Sequence, residues 1–337
     1  MRTIGYQRSE NIDADDSLIA LELSAPTAAG RDILVAVKAV SVNPVDTKVR
    51  AGVKVEDGGY GVLGWDAAGV VSAVGPEVTR FRPGDEVFYA GALDRPGTNA
   101  ELHLVDERIV GRKPILLDWA EAAALPLTSI TAWEALFDRL DVRRPVVGAS
   151  PVLLIIGGGG GVGSIAVQLA RILTDLTVIA TASRTETQQW VRQMGAHHVI
   201  DHRKDIAKQI ASLGCGLPAF VLSLTHTVDY LTEIAELIAP QGRVALIDDP
   251  ATFDITPFKR KSVSIHWELM FTRSIYETAD IEAQGELLNE IATLVDAGQV
   301  WTTLSERVNP INVPNLKRVH RQIERGSVRG EIVRERW

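Results

Sequence analysis

Val152-Leu-Leu-Ile-Ile-Gly-Gly-Gly-Gly-Gly-Val-Gly-Ser164 is the stretch on which the fold turns. Its first five residues are apolar, the pattern of a strand buried on both faces of a parallel sheet. Glycines 157 to 161 and Gly163 follow, and Ile165-Ala-Val-Gln-Leu-Ala-Arg171 then reads as a helix. Strand, glycine turn and helix in that order build a dinucleotide site. Glycine lets the backbone approach a diphosphate. The helix N-terminus adds unpaired N–H groups and the positive end of its dipole. A bare glycine pattern is weak, but here both flanks supply the context it needs. A polyglycine linker would not be clamped between a buried strand and an amphipathic helix.

Thr177-Val-Ile-Ala-Thr-Ala182 reads as the next strand. Sites selective for NAD place an acid at its end, about 20 residues past the glycines, to hold the ribose 2′-hydroxyl. Ser183 and Arg184 stand there instead. A hydroxyl and a guanidinium suit a 2′-phosphate, so the sequence predicts NADP(H) as cofactor. His202 and Arg203, after a third strand at Val199-Ile200, are candidates for the same pocket. The alternative for Arg184 is a solvated loop residue.

A chain of 337 residues is too long for one core and predicts two domains. Its net charge of −8, with no basic stretch interleaved with aromatics, argues against nucleic acid as the main partner. The one cysteine, Cys215, excludes an internal disulfide and fits a reducing cytoplasm. In Gly214-Cys-Gly216 it reads as an inert loop thiol. The N-terminus lacks the apolar run of a secretory signal, and no run of about 18 apolar residues predicts a membrane span.

Residues 1–125 carry short apolar runs separated by Gly, Pro and Asp: Ile33–Val40, Gly69–Val74, Glu86–Tyr89 and Leu102–Val105. Many short strands with turns predict a partly open barrel. From about residue 126 helix and strand alternate. A helix is expected over Leu127–Leu140, and later strands over Phe220–Leu224, Arg243–Ile247 and Val263–Trp267. These predict a doubly wound, six-stranded parallel sheet. The tail carries helices near 280–297 and 314–325 and strands near Trp301–Leu304 and Glu331–Val333. It is expected to pack on the first domain. The division expected is therefore 1–125 with 268–337, and 126–267.

Several motifs now stand in one order. Ser41-Val-Asn-Pro-Val-Asp46, Leu63-Gly-Trp-Asp-Ala-Ala-Gly-Val-Val-Ser-Ala-Val-Gly75, Pro126-Leu-Thr-Ser-Ile-Thr-Ala132 and Gly157-x-x-Gly160-Gly-Val-Gly163 together resemble the quinone oxidoreductase branch of the medium-chain dehydrogenase/reductase superfamily. Ile265-His-Trp-Glu-Leu-Met-Phe-Thr-Arg273 further resembles its zinc-type alcohol dehydrogenase-like subgroup. The resemblance covers the whole chain. It implies a GroES-like partly open barrel beside a Rossmann domain, an α/β protein. By motif position, the cysteine that binds catalytic zinc elsewhere in the superfamily becomes Asn43, the histidine becomes Trp65, and the neighbouring acid is Asp66. A structural zinc lobe needs four cysteines. The expectation is no metal.

Without zinc, alcohol oxidation loses the group that stabilises an alkoxide. A quinone or an α,β-unsaturated carbonyl needs less help, because hydride from NADPH leaves charge on an oxygen that hydrogen-bond donors can hold. The resemblance implies roles by position. Asn43 is the candidate donor to a substrate oxygen, against a turn residue before Pro44. Asp46 orients Asn43 or binds a ribose hydroxyl, and Tyr60 is a candidate proton donor. Thr131, Gly157, Gly160, Gly161, Val162, Gly163, Ser183, Arg184, His202, Ile247 and Asp248 are candidates for the cofactor. Trp65, at the former zinc position, is a candidate for lining the substrate pocket, and Trp267 and Phe271 are candidates for its wall, against core packing or a subunit interface. The cleft is expected at the C-terminal edge of the nucleotide sheet, between the domains. A small-molecule partner and a homodimer or homotetramer are expected. The competing readings are a zinc alcohol dehydrogenase and a nucleotide-binding regulatory or structural protein without turnover.

Overall fold

Alternating burial sets the first strands. β1 (Arg2–Tyr6) and β2 (Ile19–Glu22) pair antiparallel, and β3 (Asp32–Val42) runs eleven residues with one face in the core. α1 (Pro44–Gly52) begins at once, with Pro44 at its first position, where a missing N–H costs nothing. β4 (Gly61–Val62), β5 (Ala67–Val74), β6 (Glu86–Tyr89), β7 (Leu102–Asp106) and β8 (Val110–Arg112) follow, then α2 (Trp119–Ala123) and α3 (Pro126–Trp133). The computed structural model describes residues 1–326 and 328–337.

The second run alternates as expected. It comprises β9 (Ser150–Ile156), α4 (Gly161–Leu173), β10 (Thr177–Thr181), α5 (Thr185–Gln193), β11 (His198–Ile200), α6 (Ile206–Leu213), β12 (Pro218–Ser223), α7 (Leu231–Leu237), β13 (Arg243–Leu246) and β14 (Ser264–Trp267). All pairings in this sheet are parallel, in the order β11-β10-β9-β12-β13-β14. The order reverses beside β9, so the glycine turn leaves the sheet at its switch point, where such sheets take ligands. Val152, Leu154, Ile179, Val221 and Val244 fill one face, against Ile234 and Ile238. The helix expected to reach Leu140 changes character: α3 ends at Trp133, and Glu134–Arg139 is a π-helix.

The tail rejoins the first run through α8 (Thr272–Ile275), α9 (Ala283–Asp296), β15 (Leu304–Arg307), α10 (Val313–Glu324) and β16 (Glu331–Glu335). β16 lies antiparallel to β3, Ile332 opposite Val42, and β15 lies parallel to β16. The sheet order is β15-β16-β3-β5-β6-β8, with β7 also on β3. The strand expected at Trp301–Leu304 only starts at Leu304. The hydroxyls of Thr302 and Thr303 instead donate to the carbonyls of Glu121 and Ala124 at the end of α2, which makes this segment a helix cap. Residues 1–130 with 271–337 form one compact unit, and residues 131–270 a second. No helix among the described residues is long and apolar enough to cross a membrane.

Candidate functional site

Within residues 131–270 the glycine turn is closely built. Gly157 has φ +90°, a left-handed conformation that side chains disfavour. Its N–H donates to the Thr181 hydroxyl (3.0 Å), and the Gly158 N–H to the Thr181 carbonyl (3.1 Å). A Cβ at Gly163 would overlap the Gly157 carbonyl oxygen and lie 2.8 Å from Gly158 backbone atoms. The turn therefore folds flat onto the start of α4. Ser164 donates to the Gly160 carbonyl (2.7 Å) and accepts from the Trp190 indole (2.7 Å). Gly160, Gly161 and Val162 are left half-buried at the helix start. This cradle fits a dinucleotide diphosphate.

Past β10 the chain presents Ser183, half-buried, and Arg184, exposed. The Arg184 Nε lies 3.9 Å from Glu186. Arg203 is held: its Nε and Nη2 meet the two Asp201 carboxylate oxygens at 3.0 and 2.8 Å, and Nη2 also donates to the Ser183 carbonyl (2.7 Å). His202 meets the Tyr230 ring edge-on, and burial lowers its proton affinity. Asp248 accepts from the Thr227 N–H (2.8 Å) and hydroxyl (2.6 Å), while its carbonyl accepts from the Trp267 indole (3.2 Å). Ile247 beside it is half-buried. Thr131 lies buried inside α3. Trp267 is 52% exposed and packs edge-on against Phe253.

The other unit holds a buried polar network. The Asn43 N–H donates to Asp46 (2.8 Å), and its side-chain amide donates to Asp66 Oδ2 (2.7 Å). The other Asp66 oxygen accepts the Leu127 N–H (2.7 Å), so Asp66 ties the start of α1 to the start of α3. Ser41 donates to Glu331 (2.8 Å), and Arg334 Nη2 donates to Asn99 (2.7 Å). Burial pushes Asp46 up to about 7, against the backbone N–H groups and Arg334. Burial likewise raises Asp66 to about 8, against the Leu127 N–H and the Asn43 amide. Glu331 is also raised, by burial first and then by Asp66. Burial lowers Arg334 to about 10, with Asp46 opposing. Sequence reading missed Glu331 and Arg334. Two charges flanking Ile332-Val333 in a strand were the available signal.

Trp65 and Phe271, expected in a substrate pocket, are interior here. Trp65 is 2% exposed, donates its indole N–H to the Ala92 carbonyl (3.0 Å) and meets buried Phe271 edge-on at 6.2 Å. Tyr60 is 47% exposed before β4. The structure thus gathers Asn43, Asp46 and Asp66, and separately Ser183, Asp201 and Arg203. Among the described residues, no hydrogen bond joins Tyr60 or Trp267 to either group.

Residues 29–114 match the alcohol dehydrogenase GroES-like domain family, and residues 161–284 the zinc-binding dehydrogenase family. A zinc-type alcohol dehydrogenase-like protein of Staphylococcus aureus, strain Mu50, is 39% identical over 99% of both chains. The chain belongs to the medium-chain dehydrogenase/reductase superfamily. A solved structure from Rhizobium etli, described as a candidate zinc-dependent alcohol dehydrogenase protein, is 64% identical, with TM-score 0.98 over 100% of this chain and 98% of its own. The quinone oxidoreductase of Coxiella burnetii is 25% identical, with TM-score 0.80 over 99% of both chains. Members of this superfamily are oxidoreductases that bind nicotinamide dinucleotides, and the cradle at Gly157–Gly163 suits that group. Zinc does not suit the other positions. The Asn43 amide nitrogen and the Trp65 indole nitrogen both act as donors and have no lone pair for a metal. The oxygens that remain are the Asn43 Oδ1 and the Asp66 carboxylate, whose two oxygens already accept hydrogen bonds, and neither position offers the thiolate or imidazole that zinc favours.

Proposed function

We propose that this protein is an NADPH-dependent oxidoreductase that reduces a quinone or an α,β-unsaturated carbonyl without a metal. The observation that carries the reading is the Asn43 amide, which donates one N–H to Asp66 and has a second for an oxyanion, at a position where catalytic zinc would need a thiolate. Ser183 and Arg184 at the end of β10 support a 2′-phosphate. When bound, NADPH supplies the hydride. The backbone of Gly160, Gly161 and Val162 receives the diphosphate, while Thr131, His202, Ile247 and Asp248 line the remaining length of the cofactor. Asp46 and Asp66 fix the backbone and the amide of Asn43. An amide nitrogen carries two N–H groups; Asp66 takes one, and the second holds the oxygen that gains charge. The proton that completes the product comes from solvent or from Tyr60. A homodimer or homotetramer in the cytoplasm is the setting this reading expects.

Steady-state NADPH oxidation against a panel of quinones, enones and simple alcohols tests the reading. Turnover is expected with the first two classes and is expected to survive a strong chelator. About one tightly held metal ion per chain, with activity lost on its removal, would sink the metal-free mechanism.

Asn43→Ala is expected to lower turnover by about tenfold to a hundredfold while changing NADPH affinity by less than about threefold. A donor aimed at developing charge acts mainly in the transition state. Water fills part of the gap, which keeps the loss below that of a fully preorganised oxyanion hole. Unchanged turnover in the folded variant would return Asn43 to the role of a turn residue.

A further inference from the structure

Arg203 and Asp201 meet at the place where the two nicotinamide cofactors differ. The Arg203 guanidinium reaches across to the Ser183 carbonyl, which puts a cation at the end of β10. Asp201 grips that guanidinium with both oxygens and also accepts the Arg203 N–H (3.0 Å). The corner is rigid. The Gln209 side-chain amide bonds both the N–H and the carbonyl of Asp201, at 2.9 Å each. The Ala182 N–H donates to the Ile200 carbonyl (2.9 Å), which couples the two strand ends. Arg203 holds the Asp201 carboxyl down at about 2, so it is anionic throughout the working range.

We propose that Asp201 is a specificity-determining positioning residue: by pairing with Arg203 it tempers the attraction of this corner for a ribose 2′-phosphate. The proposal rests on the reading of NADP(H) as cofactor. Its physical basis is a count of charges. Arg184 faces Glu186, and Arg203 faces Asp201, so each of these two cations has an acid beside it. A phosphate monoester carries nearly two negative charges and is repelled by both acids. A 2′-hydroxyl carries none and is not repelled by them. The acids therefore act on the ratio of affinities, not on adenosine binding as such. Asparagine at 201 keeps an oxygen acceptor for Arg203, so the anchor to Ser183 survives while the charge goes.

The probes are 2′,5′-ADP and 5′-AMP, which differ only in the 2′-phosphate, titrated calorimetrically into the full chain, so that the nicotinamide and turnover play no part. Asp201→Asn is expected to raise the preference for 2′,5′-ADP by about threefold to tenfold at low ionic strength, and by less at high salt. Arg203→Gln leaves the carboxylate bare and is expected to lower the preference by about tenfold. Asp201→Glu, which restores the charge, is expected to return it to within about twofold of the starting protein. Asp201→Asn that weakens both probes alike, or lowers the preference, overturns the proposal and makes Asp201 a structural residue. Arg203 is 64% exposed, so its variant should fold in any case, and an unchanged preference there overturns the proposal on its own. A starting protein with no preference for 2′,5′-ADP fails the cofactor reading first, which is a different result from a preference that Asp201 does not move.

Discussion

Gly163→Ala is expected to abolish measurable NADPH binding and to destabilise residues 131–270 in one step. The methyl group would overlap the Gly157 carbonyl oxygen and crowd the Gly158 backbone. Neither neighbour is a flexible side-chain end. Both lie in a turn already pinned by two hydrogen bonds to Thr181. Either α4 moves away from the turn or the turn moves out of the diphosphate position. Overpacking of this kind costs about 1–3 kcal/mol, occasionally more. Loss of the backbone approach to the diphosphate is expected to lower affinity by about a hundredfold or more, equivalent to about 2.7 kcal/mol. Gly160→Ala is the control. It lies at φ −79° at the N-cap of α4, and its Cβ would find nothing nearer than the Gly157 carbonyl at 3.9 Å. That variant should keep its stability, so any lost affinity reports the direct approach of the cofactor. Titration of NADPH and thermal unfolding of both variants decide the matter. Wild-type affinity in Gly163→Ala would show that the turn does not hold the diphosphate.

The contrast between those two glycines marks where sequence reading works. The strand, turn and helix around Gly157–Gly163 are contiguous, so periodicity and composition alone expose them, and the parallel sheet follows from the same alternation. Asn43, Asp46 and Asp66 were legible as positions in motifs, but their bonds were not. Asp66 answers to Leu127 as well as Asn43, and no local pattern links three segments so far apart. Glu331 and Arg334 were hidden for the same reason. Their burial is created by β16 lying along β3, a pairing across nearly the whole chain. Trp65 shows a different limit of the sequence. A large aromatic at a former metal position suggests a pocket wall, yet its indole has an internal partner at Ala92 and its ring a neighbour in Phe271. The π-helix at Glu134–Arg139 keeps the apolar spacing of an ordinary helix closely enough to pass for one.

Arg334→Met is expected to destabilise the protein by about 3–5 kcal/mol near pH 8 and by only about 1 kcal/mol near pH 6.5. The cation is fully buried and interacts electrostatically with Asp46 on α1 and with His320, which also feels Arg50, while Asp66 and Glu331 belong to the same network. Folded values of about 7 for Asp46 and about 8 for Asp66 lie above those of the unfolded chain. Their contribution to stability is therefore complete below the ordinary carboxylate range and is lost as pH rises through about 7 and 8. His103 and His320 run the other way. Burial lowers them to about 4 and about 3, so they are neutral in the fold, and stability falls as pH drops below the ordinary histidine value of 6.5. The opposing trends meet below that value; above it only the carboxylates act, and the unaltered protein should lose stability between about pH 6.5 and 8. Arg334 opposes this loss by favouring ionised Asp46. Without it, Asp46 must stay protonated or sit as an uncompensated buried charge, and either demand grows with pH. Near pH 6.5 Asp46 is already largely protonated. What remains is the lost bond to Asn99, partly offset by relief from burying a cation. Urea unfolding of both proteins at the two pH values measures the difference. An equal loss at both would make Arg334 a packing element and not the counter-charge of this network.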